Sequence, residues 1–113
     1  MKKEPKIFIA HIIESIGEIE KHTRNISLAG FIKSTLVQDA AIRRLEIIGE
    51  AVRRIPPEVK TAVPDIPWKQ IAGLRNVLIH EYFGVDLRLV WKVIAKDIPN
   101  LKKSVIKLQK KLP

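Results

Sequence analysis

The chain has 113 residues, no cysteine, and 21 Lys/Arg against 12 Asp/Glu, for a formal charge of +9. That length fits one small domain spanning 1–113, and an apolar share of 46% predicts a packed core rather than disorder. The lack of thiols excludes a disulfide framework and a thiolate metal site, while the positive field suits a polyanion, either nucleic acid or an acidic protein.

Pro5 suits the first turn of a helix. From there Ile9, Ile12, Ile13, Ile16 and Ile19 recur at helical spacing, predicting an amphipathic helix to about Arg24. His11 and Glu14 make this stretch too polar for a signal-peptide core, and it is too short to span a bilayer, so a cytoplasmic protein without membrane contact is expected. Ser27 reads as the cap of a short helical piece, Leu28 to Lys33. Ser34 or Thr35 then opens a second long helix with the stripe Val37, Ala41, Leu45, Ile48, Val52 and Ile55, stopped by Pro56-Pro57. Between Pro56 and Pro67 only one short turn, Glu58 to Ala62, is expected.

Pro67-Trp68 opens a third helix that ends near Phe83-Gly84, and Asp86 caps a fourth. The fourth carries Leu87, Val90, Ile94, Ile98, Leu101, Val105, Leu108 and Leu112 in nearly heptad spacing, with Pro99 expected to kink or split it. No strand alternation or internal repeat is present. The predicted fold is an all-α, antiparallel four- to five-helix bundle. A core this small often gains stability by oligomerising.

Charge is uneven: residues 1–56 carry 10 Lys/Arg against 7 acids, and residues 57–113 carry 11 against 5. From Ile98 onward there are Lys102, Lys103, Lys107, Lys110 and Lys111 and no acid. Taken alone, that lysine run reads as a solvated helix face.

The third helix gathers Arg75, Asn76, His80 and Tyr82 within one short stretch of aliphatic sequence. Arginine is permanently charged and forks onto phosphate, and histidine titrates near neutral pH. The combination points to chemistry on a phosphodiester. At about 100° per residue, Asn76 and His80 share a helix face, whereas Arg75 and His80 lie about 140° apart. They pair on one helix only where it unwinds near His80 or the long arginine wraps; a symmetric dimer in which each copy lends residues to a shared cleft removes that difficulty. The bland alternative is that His80 and Tyr82 punctuate a helix end and Arg75 caps a neighbouring helix.

Competing chemistries find less support. His11 and His22 are about 16 Å apart along a helix axis, so they cannot share a metal, and no metal site is expected. Glu46 and Glu50 sit one turn apart and could hold Mg²⁺, but such pairs more often partner nearby cations, here Arg43, Arg53 or Arg54. There is no nucleophile elbow for a serine triad, and Gly49, Gly73 and Gly84 are isolated rather than a phosphate loop. Trp68 and Trp91 occupy helical core positions rather than base-stacking ones.

Arg75 through Tyr82 resembles the R-x4-H-x-Y motif of the HEPN superfamily, in its HepT-like branch. The resemblance extends through Asp39–Ala51, Pro67–Arg75 and His80–Asp86, and so covers nearly the whole chain. It implies a small helical bundle that forms a homodimer with both motifs at one cleft. It also implies a metal-independent endoribonuclease without cofactor, acting as the toxin of a toxin–antitoxin pair. The expected partner is a minimal nucleotidyltransferase antitoxin that transfers AMP to the motif tyrosine. Carried over by position, Arg75 and His80 are catalytic, Asn76 is the polar residue beside the arginine, and Tyr82 is the modification target. The chemistry suits these residues: RNA brings its own 2′-hydroxyl nucleophile, so neither a serine nor a metal is needed. Two other classes remain open, a non-catalytic HEPN module that scaffolds the nucleotidyltransferase and a simple basic nucleic-acid binder.

Overall fold

The computed structural model describes residues 5–73 and 86–112, and among these there is no strand. Helix α1 runs Pro5–Thr23, α2 Leu28–Lys33, α3 Thr35–Arg54 and α4 Pro57–Ala62. Residues 68–73 are helical and are denoted α5. Helix α6 covers Leu87–Lys92 and α7 covers Ile98–Lys111, joined by a π turn at Val93–Asp97. The all-α expectation is met, with α2 and α4 as short connecting pieces.

Helix α1 is central: its buried face packs chiefly on α3, and α7 lies along it. Ile9, Ile12 and Ile16 are fully buried and Ile19 is 1% exposed, which is the isoleucine stripe of the sequence turned inward. Each such side chain contributes about 1.5–3 kcal/mol relative to an exposed one. Ala41, Leu45, Ile48 and Val52 answer from α3, and Ile98, Leu101, Val105 and Leu108 from α7. Lys102 Nζ, early in α7, lies 2.9 Å from Glu20 Oε2 in the last turn of α1. The C-terminal end of one helix thus meets the N-terminal part of the other, as an antiparallel pair requires.

Helix ends follow their side chains. Asn25, with φ 63°, takes the left-handed conformation just past α1, a position that asparagine tolerates better than most residues. Gly30 N donates to Ser27 Oγ at 3.1 Å, and Val37 N donates to Ser34 Oγ at 3.2 Å. Of the two residues offered as the opening of the second long helix, Ser34 is therefore the cap. Gln38 Nε2 donates at 2.9 Å to the carbonyls of both Phe31 and Ile32, satisfying the orphan end of α2 from inside α3. Phe31, fully buried, holds α2 on the far side against Trp91, with ring centroids 5.3 Å apart.

The break expected at Pro99 takes a gentler form. Lys92, Val93, Asp97 and Ile98 all keep right-handed helical dihedrals, and Ile98 N donates to Val93 O, five residues back. Proline has no N–H and its ring collides with the carbonyl four residues earlier, here Ala95. A wider π turn immediately upstream gives that ring room. The buried series consequently continues from Val90, Val93 and Ile94 into Ile98 and Leu101 without changing face.

Ser15 is 1% exposed in the middle of the α1 core face, and its hydroxyl has no hydrogen-bond partner among the described residues. A buried, unpaired hydroxyl costs free energy that a methyl group does not. Alanine is also the better helix former. Ser15→Ala should therefore stabilise the protein by about 1 kcal/mol, raising Tm by roughly 4–8 °C in a thermal melt. A lowered Tm would contradict this account of the core.

Candidate functional site

Arg75, Asn76, His80 and Tyr82 lie outside the described residues, as does the expected course of the third helix to Gly84. The structure describes the two flanks between which they run. On the entry side, Pro67 precedes α5, and Ile71 N donates to Pro67 O at 3.1 Å as the helix begins. Trp68 is 8% exposed, and its indole N–H donates to Val63 O at 3.0 Å and to Lys60 O at 3.2 Å. One side chain thus ties the first turn of α5 to the end of α4 and to the proline-punctuated connection. Ile66 and Ile71, 2% and 6% exposed, anchor this entry in the core.

On the exit side, Asp86 caps α6. One carboxylate oxygen accepts from Arg88 N at 3.0 Å and from Leu89 N at 3.3 Å. Val90 then returns the chain to the core at 4% exposure. The described chain on either side of residues 74–85 is thus fixed by a bonded indole and by a capping carboxylate.

The other candidates resolve as side-chain pairs on solvent-facing helix surface. Arg43 Nη1 lies 3.6 Å from Glu46 Oε2, and Arg54 Nε lies 3.2 Å from Glu50 Oε1. This is the ion-pair alternative to a Mg²⁺ site at Glu46 and Glu50. His22 Nε2 is 3.7 Å from Glu18, one turn away on α1, and His11 is exposed on the same helix. Among the described residues no group of three or more His, Cys, Asp or Glu side chains is placed to hold a metal ion. Trp68 and Trp91 pack as predicted, the first buried and the second half-buried.

A cleft of about 390 Å³ opens between α5 and the π turn with α7. Asp65, Gln70, Asp97, Asn100 and Ser104 provide its polar atoms among the described lining residues. None of these was singled out in the sequence. They are scattered over three elements with no shared spacing, so only the folded arrangement gathers them. The cleft has two carboxylates and no described cation, a poor environment for a phosphate. Cationic surface lies elsewhere: Arg88, Lys92, Lys96, Lys103, Lys107, Lys110 and Lys111 are all exposed. The three upstream of Pro99 extend the lysine run noted in the sequence.

Comparison with known proteins places this arrangement in context. Residues 12–108 match the family model described as "Ribonuclease HepT-like". A Thermococcus cleftensis protein named "Probable ribonuclease HepT" is 46% identical over 110 residues, covering 97% of this chain and 100% of its own length. A Methanocaldococcus jannaschii protein named "Gamma-glutamylcyclotransferase and putative RNase" is 47% identical over 112 residues, or 99% of this chain. The present chain spans half of that relative's length. A Caldanaerobacter subterraneus protein named "Putative RNase" is 41% identical over 109 residues, covering 96% of this chain and 97% of its own. No solved structure matches the chain.

The anchoring of these two flanks can be tested through stability. Trp68→Phe keeps an apolar ring but leaves two carbonyls without their donor, and should cost about 1–2 kcal/mol. Asp86→Ala removes the α6 cap and should cost about 1 kcal/mol. Urea titration should show each variant unfolding at a lower midpoint with an unchanged slope; an unchanged Trp68→Phe midpoint would remove the indole bonds from the account.

Proposed function

The chain belongs to the HepT-like ribonuclease family, and from that premise we propose that it is a metal-independent endoribonuclease acting as a homodimeric toxin. The observation that carries the reading is the sequence Arg75-x4-His80-x-Tyr82 inside a range, residues 12–108, that matches the family throughout. The whole of 1–113 acts as one domain in this reading. Two copies bring their motifs to one cleft, which relieves the angular separation of Arg75 and His80 on a single helix. Leu36 at 81% exposure is apolar surface that a second copy would cover. No helix among the described residues is long and apolar enough to cross a membrane. We assign the protein to the cytoplasm, where RNA and ATP are available.

The reaction follows from the residue types. An imidazole of His80 takes the proton of a 2′-hydroxyl as that oxygen attacks the adjacent phosphorus. A protonated His80, from the other copy, gives a proton to the departing 5′-oxygen. Arg75 stabilises the charge that grows on the phosphorane oxygens. Asn76, one turn from His80, orients the imidazole or the phosphate. The products are a 2′,3′-cyclic phosphate and a 5′-hydroxyl. Neutralisation comes from a minimal nucleotidyltransferase antitoxin: the Tyr82 phenol oxygen bonds the α-phosphorus of ATP, pyrophosphate leaves, and the phenol proton passes to a base. The attached AMP adds bulk and negative charge beside the place the RNA phosphate must occupy.

Purified protein with end-labelled RNA in excess EDTA tests the mechanism. His80→Ala and Arg75→Ala should each lose about 10²–10⁴-fold in cleavage rate, with wild-type products carrying cyclic phosphate ends. Undiminished cleavage by His80→Ala would remove His80 from the chemistry, and a wild type that is harmless on expression and inert toward RNA would favour the scaffolding module. Tyr82 is the only tyrosine. Incubation with an active nucleotidyltransferase and ATP should therefore add one AMP to the wild type and none to Tyr82→Phe by intact mass.

A further inference from the structure

We infer that the exposed face running through α6, the π turn and α7 is a track for the phosphate backbone of single-stranded RNA, formed by Arg88, Lys92, Lys96, Lys103, Lys107 and Lys110. The inference rests on the ribonuclease reading above and extends it from the motif to the surface that holds the substrate.

All six side chains are exposed, while Val90, Ile94, Ile98, Leu101, Val105 and Leu108 of the same continuous helix are buried. At about 100° per residue the two sets fall on opposite sides, and the cations occupy roughly a third of the circumference. Lys103, Lys107 and Lys110 therefore stay in line with Arg88, Lys92 and Lys96. Within residues 87–112 the only acid is Asp97, and it lines the cleft beside α5. Lys102, off this row, is already engaged by Glu20 of α1 at 2.9 Å.

A solvated helix face does not explain this pattern. The other long helices of the same chain mix signs along their surfaces: Glu18 with His22 on α1, and Arg43 with Glu46 and Glu50 with Arg54 on α3. Along α6 and α7 like charges stand one turn apart at Arg88/Lys92, Lys92/Lys96 and Lys103/Lys107. Each such pair destabilises the helix by about 0.2–0.5 kcal/mol. A single-sign row kept against that cost fits a polyanionic occupant.

Its geometry favours a strand over a compact acidic patch. The row is about 33 Å long; neighbouring cations stand about 5–6 Å apart, close to the spacing of phosphates along an extended strand, except for one gap of about 10 Å between Lys96 and Lys103. No exposed aromatic side chain interrupts the row, so binding there reads backbone and not base. The row begins six residues beyond Tyr82 in sequence.

The test measures equilibrium binding of a fluorescent 2′-O-methyl oligouridine, about 20 nucleotides long, which lacks the attacking hydroxyl and stays intact; affinity is read across a salt series. The stripe triple Lys92→Glu, Lys103→Glu, Lys107→Glu is compared with a control triple of equal charge change, Lys6→Glu, Lys21→Glu, Arg53→Glu, all of them exposed residues. Near physiological salt the stripe triple should bind at least about tenfold more weakly, and its slope of log K against log salt should flatten by about 2. The control should stay within about threefold of wild type because charges off the track are screened. Glutamine at the same three stripe positions should flatten the slope while avoiding charge reversal, and circular dichroism verifies helicity throughout. Equal weakening by both triples, or an unchanged slope in the stripe triple, overturns the track. So does a stripe triple that keeps its grip on RNA but loses an acidic nucleotidyltransferase partner. Cleavage of ordinary RNA run in parallel separates the two claims. An inert wild type that binds through the stripe sinks the ribonuclease reading and leaves the track standing. A cleaving wild type whose stripe triple binds equally well sinks the track alone.

Discussion

The fold depends on burying one face of α1. Ile9, Ile12, Ile16 and Ile19 form an aliphatic seam that α3 covers from one side and that α7 closes along another. Neither α3 nor α7 could satisfy its own apolar stripe without that shared surface. Hydrophobic burial of this kind is non-directional, so it sets which faces meet but not where each helix starts and stops. The caps do that: Ser34 starts α3, Gln38 closes α2, and Asp86 starts α6. A small domain of this size keeps only about 5–15 kcal/mol of net stability, so each cap matters to the positions of the elements it bounds.

From that core the approach to residue 74 and the cationic row are placed by two unlike devices. The segment containing Arg75, Asn76, His80 and Tyr82 is approached through α5, whose first turn is secured by the Trp68 indole to the carbonyls of Lys60 and Val63. The cationic row is placed by amphipathicity alone: turning Val90 through Leu108 inward necessarily turns Arg88 through Lys110 outward. The acidic cleft between α5 and α7 separates the two in character. A phosphate approaching this side of the molecule meets attraction along the outer face and repulsion within the cleft.

Much of this was legible in the residues. The stripes of α1, α3 and α7, the stop at Pro56-Pro57 and the caps at Ser27 and Asp86 follow from periodicity and from the chemistry of short polar side chains. Pro99 was legible as a disturbance but not as a π turn, because a proline in a helix can be met by a kink, a break or a widened turn and only packing selects among them. The pair of hydrogen bonds that Gln38 donates to the Phe31 and Ile32 carbonyls was not legible at all, since it joins two helices across a tight corner. The same holds for the cleft around Asp65 and Asn100. The motif draws notice for the opposite reason: an arginine, an amide, an imidazole and a phenol stand out against aliphatic surroundings. Its residues lie outside the described part of the structure, so their joint geometry rests on sequence position.

The π turn at Val93–Asp97 has a consequence for how this helix can change over evolutionary time. A turn closed five residues apart holds one residue more than an α turn between the same two faces. Deleting a single residue there would restore α winding while leaving both flanking segments in register with the core. Pro99 blocks that route, because its ring would then meet the Ala95 carbonyl or its replacement. Length change at this site is therefore coupled to the identity of one proline, and shorter versions of the helix should have exchanged it for a residue with an N–H.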